Sequence, residues 1–167
     1  DNAIQGSVDV MFNDADSGLP IFRVTLSDSQ LTVDVQNKRA MMGTILQRED
    51  GMAQTIAASS DLTAEMTIAE REVRSVRNFL DDIVLALNKK AVPTSEITTT
   101  TIASYQASAI AARSAINGSL TSIASAKQAL QTAQKNLEQG VGGPVSEDVA
   151  SAEAALTQAK GVYAAAL

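Results

Sequence analysis

The ionisable side chains of this 167-residue chain lack the companions that most catalysis needs. With no histidine and no cysteine, imidazole acid–base chemistry, thiolate catalysis, disulfides and zinc fingers are excluded. Asp81 and Asp82 are adjacent and cannot share a helix face, so they make a poor acid–base pair. Glu138 and Glu147 flank a glycine-rich stretch without a nucleophile or a metal set beside them. Asn13, Asp14 and Asp16 ahead of Gly18 approach a calcium loop. That loop needs a glutamate six residues past its glycine, where this chain has Val24, so an Asx-rich turn is expected. Arg71, Arg74 and Arg77, interleaved with Glu70 and Glu72, read as a solvated charge-laced helix face, with partner docking as the alternative. The hydroxyls of Thr98 to Thr101 read as a solvated first turn that helps cap a helix, the alternative being a sugar- or hydroxyl-binding face. Lys38 and Glu49 interrupt an apolar seam and are expected to reach water at a bundle edge, the alternative being a buried polar pair that fixes register or binds a ligand. No catalytic residue, cofactor-binding residue or metal ligand is assigned on this inventory, and an enzyme ranks last among the function classes.

Hydrophobic residues make up 45% of the chain, enough to bury a core and too many for intrinsic disorder. Aromatics are 3% and tryptophan is absent, which disfavours a large aromatic-lined pocket. A formal charge of −6 argues against nucleic acid or an anionic membrane surface as partner. No apolar run approaches the roughly 20 residues of a spanning helix, and no signal peptide opens the chain. Both ends fall inside helical patterns, so the expectation is an excised fragment of a larger protein.

The elements that position these residues are helices. Ile4, Val8 and Met11 share one helical face over 1–12, and "NDADSGLP" stops that helix. In "PIFRVTL" at 20–26, Phe22, Val24 and Leu26 alternate, but a lone strand has no evident partner, so an extended segment over the end of a bundle is expected. Ser27 and Gln30 form a capping-box pattern with Leu26 poised to staple onto Leu31. The helix that follows has the seam Leu31, Val35, Lys38, Met42, Ile45, Glu49, Met52, Ile56. After a break at 58–61, with Ser60 or Asp61 as cap, a cleaner seam runs Leu62, Met66, Ala69, Val73, Val76, Leu80, Ile83, Leu87. Lys89 and Lys90 suit that helix's negative end, and Pro93 closes it.

The longest helix is expected from a cap at Thr94 or Ser95 to about Gln139, roughly 65 Å long. Ile102, Ala109, Ile116, Ile123, Leu130 and Leu137 recur every seven residues along it. A second row is mostly small: Tyr105, Ala112, Ser119, Ala126, Ala133. Gly140, Gly142, Gly143 and Pro144 form a hairpin linker, and the heptad restarts as Val149, Leu156, Tyr163, with Ala152, Ala159 and Ala166 beside it. Such a repeat gives a left-handed coiled coil, and small second-row residues let backbones approach closely. The fold class expected is all-α: an antiparallel, four-helix-like bundle with a long coiled-coil hairpin arm. Residues 1–100 would form the bundle, irregular at 13–26, and 101–167 the hairpin, its first helix shared with the bundle. The arm should be the softer part, since its alanine row contributes little burial.

The run "AKQALQTAQKNLEQGVGGPVSEDVASAEAALTQAKGVY" resembles hairpin segments of hemolysin-D-like membrane fusion proteins, the periplasmic adaptors of efflux and type I secretion systems. The matches are Leu137, Gly143, Pro144, Glu147, Asp148, Ala152, Glu153 and Ala154, within about 125–167. The resemblance implies an extracytoplasmic coiled-coil hairpin in a membrane-anchored protein, meeting protein partners such as transporter or envelope components. Residues 1–100 depart from the family's plain two-helix hairpin and would be an inserted bundle. The family's β-rich lipoyl and barrel parts are absent from this stretch. No hairpin-tip motif matches, so no channel-binding residue is assigned.

The resulting expectation is a non-enzymatic spacer and docking module of an extracytoplasmic adaptor, without cofactor, metal or nucleic acid. The main alternative is the extracytoplasmic ligand-binding four-helix bundle of a chemoreceptor or sensor kinase. A phage or surface fibre is a third class.

Overall fold

A computed structural model describes the backbone of residues 6–52, 61–138 and 145–166, and the side chains of 6–45, 61–138 and 149–161. Four helices follow a small N-terminal hairpin: α1 (Ser29–Met52), α2 (Leu62–Lys89), α3 (Thr99–Glu138) and α4 (Val145–Ala166). They pack in sequence order, α2 against α1, α3 against α2 and α4 against α3.

Residues 6 and 7 are helical, and Ile4 of the expected helical face lies outside the described residues. A 3-10 turn, Asp9–Met11, leads directly into strand β1 (Phe12–Asn13). Val8 and Met11 remain on one buried side, because residues three apart eclipse in 3-10 geometry. The strand expected to have no partner has one. In β2 (Ile21–Phe22), Phe22 pairs antiparallel with Phe12, and Ile21 with Asn13. The Phe12 and Phe22 rings lie 5.1 Å apart, and Phe12 reaches Phe79 of α2 at 6.3 Å. Asp14, at φ 52°, turns the chain between the strands in a left-handed conformation that aspartate tolerates. Beyond β2 the chain does cross the bundle end as an extended strap. Leu26 bridges to Ala91, with Ser27 N donating to Lys90 O and Val92 N to Thr25 O, both at 2.8 Å.

Two helix starts differ from the sequence expectation. Asp28, not Ser27, caps α1, its carboxylate accepting from Leu31 N at 3.1 Å. Gln30 turns to Asp34 instead of back to the cap. Thr98, not Thr94 or Ser95, caps α3, its hydroxyl accepting from Thr101 N at 3.2 Å. Thr94 closes a separate turn by accepting from Ile97 N. Asp61 caps α2 as one of the two expected candidates, accepting from Thr63 N and Ala64 N.

The α2 seam is buried throughout except for half-buried Leu62. A second row, Phe79 and Ala86, is buried too, because α2 lies between α1 and α3. On α3, Ile102, Ala109, Ile116, Ile123 and Leu130 are buried, as are Ala112, Ser119, Ala126 and Ala133. Leu137 departs from the seam: it is 66% exposed, with no helix of the described residues covering the last turn of α3 on that side. On α4, Ala152, Leu156 and Ala159 are buried and Val149 is half-buried.

α3 does not run clear of the bundle as a free arm. Lys127 Nζ meets Glu70 Oε2 at 2.6 Å, and Gln134 Nε2 meets Thr63 Oγ1 at 3.4 Å. Met66 of α2 is buried with Ala126 and Leu130 of α3 and Ala152 and Leu156 of α4. The reason is the early cap at Asp61. It starts α2 soon enough that its 28 residues, about 42 Å at helical rise, run back beside most of the 40-residue α3.

Candidate functional site

The ion pairs that tie the helices together consume most of the charged residues singled out in the sequence. Asp81 and Asp82 diverge. Asp81 meets Arg77 at 3.5 Å and Arg113 of α3 at 3.4 Å, whereas Asp82 accepts from Lys38 of α1. Lys38 keeps 41% of its side chain exposed, so it reaches from the bundle edge to its partner. The linker Gly140, Gly142, Gly143 and Pro144 lies outside the described residues, as do the side chains of Glu49, Glu147 and Tyr163.

Of the arginine stripe, Arg74 pairs with Glu70 at 2.6 Å. Glu70 thus sits between two cations. The hydrogen bond from Lys127, and then that from Arg74, hold its carboxyl below the usual glutamate range. Arg71, Arg74, Thr67, Ser75 and Asn78 line a shallow surface hollow of about 380 Å³. A second hollow of about 350 Å³ lies where α3 (Ser125, Gln128, Ala129, Thr132) meets Ser151 of α4. Hydroxyls and amides line it, with no nucleophile–base pair. Among the described residues no group of three acidic, histidine or cysteine side chains is placed to hold a metal ion. Asp14 and Asp16 lie in the turn between β1 and β2, where Asp14 O accepts from Ser17 N.

The most tightly built polar cluster is one that the sequence pattern did not single out. Arg39 of α1 is only 1% exposed. Its Nε and Nη2 donate to the two carboxylate oxygens of Asp9, at 2.7 and 2.9 Å. Asp16 adds a longer contact to Nη2 at 3.6 Å. Nη1 is buried without a hydrogen-bond partner. A two-pronged guanidinium–carboxylate pair is strong and directional. Here it fastens the N-terminal hairpin to α1, beside Val35 and Met42. The seam expected to pass through Lys38 therefore passes through Arg39. Steps of three-then-four and four-then-three fit the flanking Val35 and Met42 equally well, and both candidates are cationic. No periodicity signal could separate them.

Around this clamp the hairpin adds further polar ties. Arg23 Nη1 and the Tyr105 hydroxyl both donate to Val10 O, at 3.1 and 3.2 Å. Gln106 Nε2 donates to Leu87 O at 2.9 Å, supplying a partner for a carbonyl in the last turn of α2. The arrangement clamps and spaces helices; its charged groups face one another across helix boundaries. No helix of the described residues is long and apolar enough to cross a membrane. No family model, no curated protein and no solved structure matches this chain.

Proposed function

We propose that this chain is a non-enzymatic spacer and docking module of an extracytoplasmic adaptor of the membrane-fusion type, serving efflux or secretion. What carries the reading is the α3–α4 hairpin. Its buried rows alternate isoleucine or leucine with alanine and serine: Ile116, Ser119, Ile123, Ala126, Leu130 and Ala133 face Ala152, Leu156 and Ala159. Small residues at alternate seam positions let two helices approach closely and pack as a stiff pair. The linker resemblance around Gly143 and Pro144 supports the same assignment.

In this reading the hairpin sets a distance from the membrane to which the parent protein is anchored. The bundle of α1, α2 and the N-terminal hairpin presents a surface to protein partners. The work is mechanical, so no residue is given a catalytic role.

The test is topological. The chain has no cysteine, so Lys135→Cys on the exposed side of α3 introduces a single thiol into this region. Cells producing the full-length parent protein are treated with a membrane-impermeant maleimide before and after lysis. Labelling in intact cells, with the protein in the membrane fraction, is the expected result. A thiol protected until lysis would overturn the extracytoplasmic placement and the adaptor reading with it.

A further inference from the structure

We propose that the outer face of the N-terminal β-hairpin is a contact surface between two copies of this chain, related by a two-fold axis. Burial alternates along β2 and the segments on either side of it. Pro20, Phe22 and Val24 are buried, whereas Leu19, Ile21, Arg23 and Thr25 are exposed. A sheet with one face on the core ordinarily carries polar residues on the other. Here Leu19 is 85% exposed and Ile21 52%. Strand pairing brings two more apolar side chains to the same side. Val92, also exposed, lies opposite Thr25, to whose carbonyl its N–H donates. Val10, exposed as well, lies beside Arg23, whose Nη1 donates to the Val10 carbonyl. The other large apolar residues exposed among those described are spread over α1, α2 and α3. Apolar side chains gathered in this way mark an interaction surface.

The tip of the hairpin is already ordered for contact. Ser17 N donates to Asp14 O at 2.9 Å, and Leu19 N to Ser17 Oγ at 3.1 Å. Leu19 is thus presented on a bonded turn, and little freedom is lost when it is covered.

The charges on this face fit a second copy. Arg23 is exposed and forms no ion pair among the described residues. Asp16 is 91% exposed, and its contact with Arg39 is a long one at 3.6 Å. Leu19 and Ile21 lie between Asp16 and Arg23 in the chain. A two-fold axis through the Leu19–Ile21 row therefore lays that row on itself and brings Arg23 of each copy to Asp16 of the other. An anionic membrane is a poor occupant, since Asp14 and Asp16 stand at the tip. The residues taking part are far fewer than the roughly 20–30 a side of a standard stable interface. The contact is accordingly weak, with a dissociation constant on the order of 100 µM. It does not depend on where in the cell the parent protein sits, so it stands or falls apart from the adaptor reading.

Sedimentation equilibrium of the intact chain, between about 10 µM and about 1 mM, tests this by mass action. The mass is expected to rise from 17.4 kDa toward twice that value. Leu19→Asp, at a position too exposed to disturb the fold, should weaken association by about tenfold or more. Arg23→Glu and Asp16→Lys should each weaken it alone. An equimolar mixture of the two should recover it, because the mixed pair restores opposite charges at both contacts. Circular dichroism checks that each variant is folded, and Leu19→Asp decides alone if a charge variant is not. A mass that stays at 17.4 kDa throughout refutes the proposal and leaves the face to a different protein. Dimers that survive Leu19→Asp place the interface elsewhere and refute it as well. A mixture of folded charge variants no more associated than its components refutes the two-fold pairing.

Discussion

Removing the carboxylate of Asp9 strands a charge that the fold cannot rehydrate. The Arg39 side chain is 1% exposed against 15% for Asp9, so the cost of breaking the pair is asymmetric. Asp9→Leu leaves a buried guanidinium whose remaining acidic neighbour, Asp16, is 91% exposed and 3.6 Å away. Breaking a buried pair in this way costs about 3–5 kcal/mol. Arg39→Met fills most of the vacated volume and leaves only Asp9, nearer to water, without its donors. That change should cost about 1–3 kcal/mol. The double variant removes both charges and replaces them with apolar groups of similar size, so its stability should return to within about 1 kcal/mol of the parent. The two single costs therefore exceed the double by about 3 kcal/mol or more. In urea, with a slope near 2 kcal/mol per molar, Asp9→Leu alone should lower the midpoint by about 1.5–2.5 M. Far-ultraviolet circular dichroism and tyrosine fluorescence followed together would give the cycle. A cost below about 1 kcal/mol for Asp9→Leu, or a double variant equal to the sum of its parts, would refute the claim that this pair fastens the hairpin.

Other expectations rest on single residues. Lys160 Nζ is buried with no hydrogen-bond partner, so Lys160→Met should leave stability unchanged or raise it by about 1 kcal/mol, read as a urea midpoint. Leu156→Ala should cost about 2–5 kcal/mol because the side chain is 2% exposed, whereas Leu137→Ala, at 66% exposure, should cost less than about 0.5 kcal/mol. Glu70 is held below the usual glutamate range when folded. A depressed folded value means that its contribution is present above the unfolded value and lost as pH falls through the folded one. Glu70→Gln should therefore lower the thermal midpoint at pH 7, with the difference from the parent shrinking below about pH 4 and in high salt.

What was legible in the sequence follows from how many residues each signal spans. The α2 seam repeats eight times at steps of three and four, and burial follows it from Met66 to Leu87. The heptad row on α3 repeats six times and fails only at Leu137, where coverage ends. Short features rest on a single contact and were misplaced. The capping box at Ser27 and Gln30 fits a pattern of two residues, yet Asp28 holds the stronger acceptor one position on. "PIFRVTL" showed its alternation, but its partner is the two-residue β1, too brief to register as a strand. The clamp between Asp9 and Arg39 is a contact across 30 residues, which local periodicity does not encode. Asp61 was legible because its cap coincides with a break in the apolar pattern on its N-terminal side.

The strap from Ile21 to Ser27 also bears on the order in which the chain becomes ordered during synthesis. Its bridge partner is Ala91, and the Tyr105 hydroxyl that holds Val10 comes 95 residues later in the chain. At about 5–20 residues per second, some 5–20 s pass between the two leaving the ribosome. Through that interval Val8, Met11, Phe12 and Phe22 have no finished platform to lie on. The helical pairs α1–α2 and then α2–α3 form from nearer contacts and are faster to close. The N-terminal hairpin thus finishes docking only once the start of α3 is available, and its aromatic residues remain a sticky surface until then.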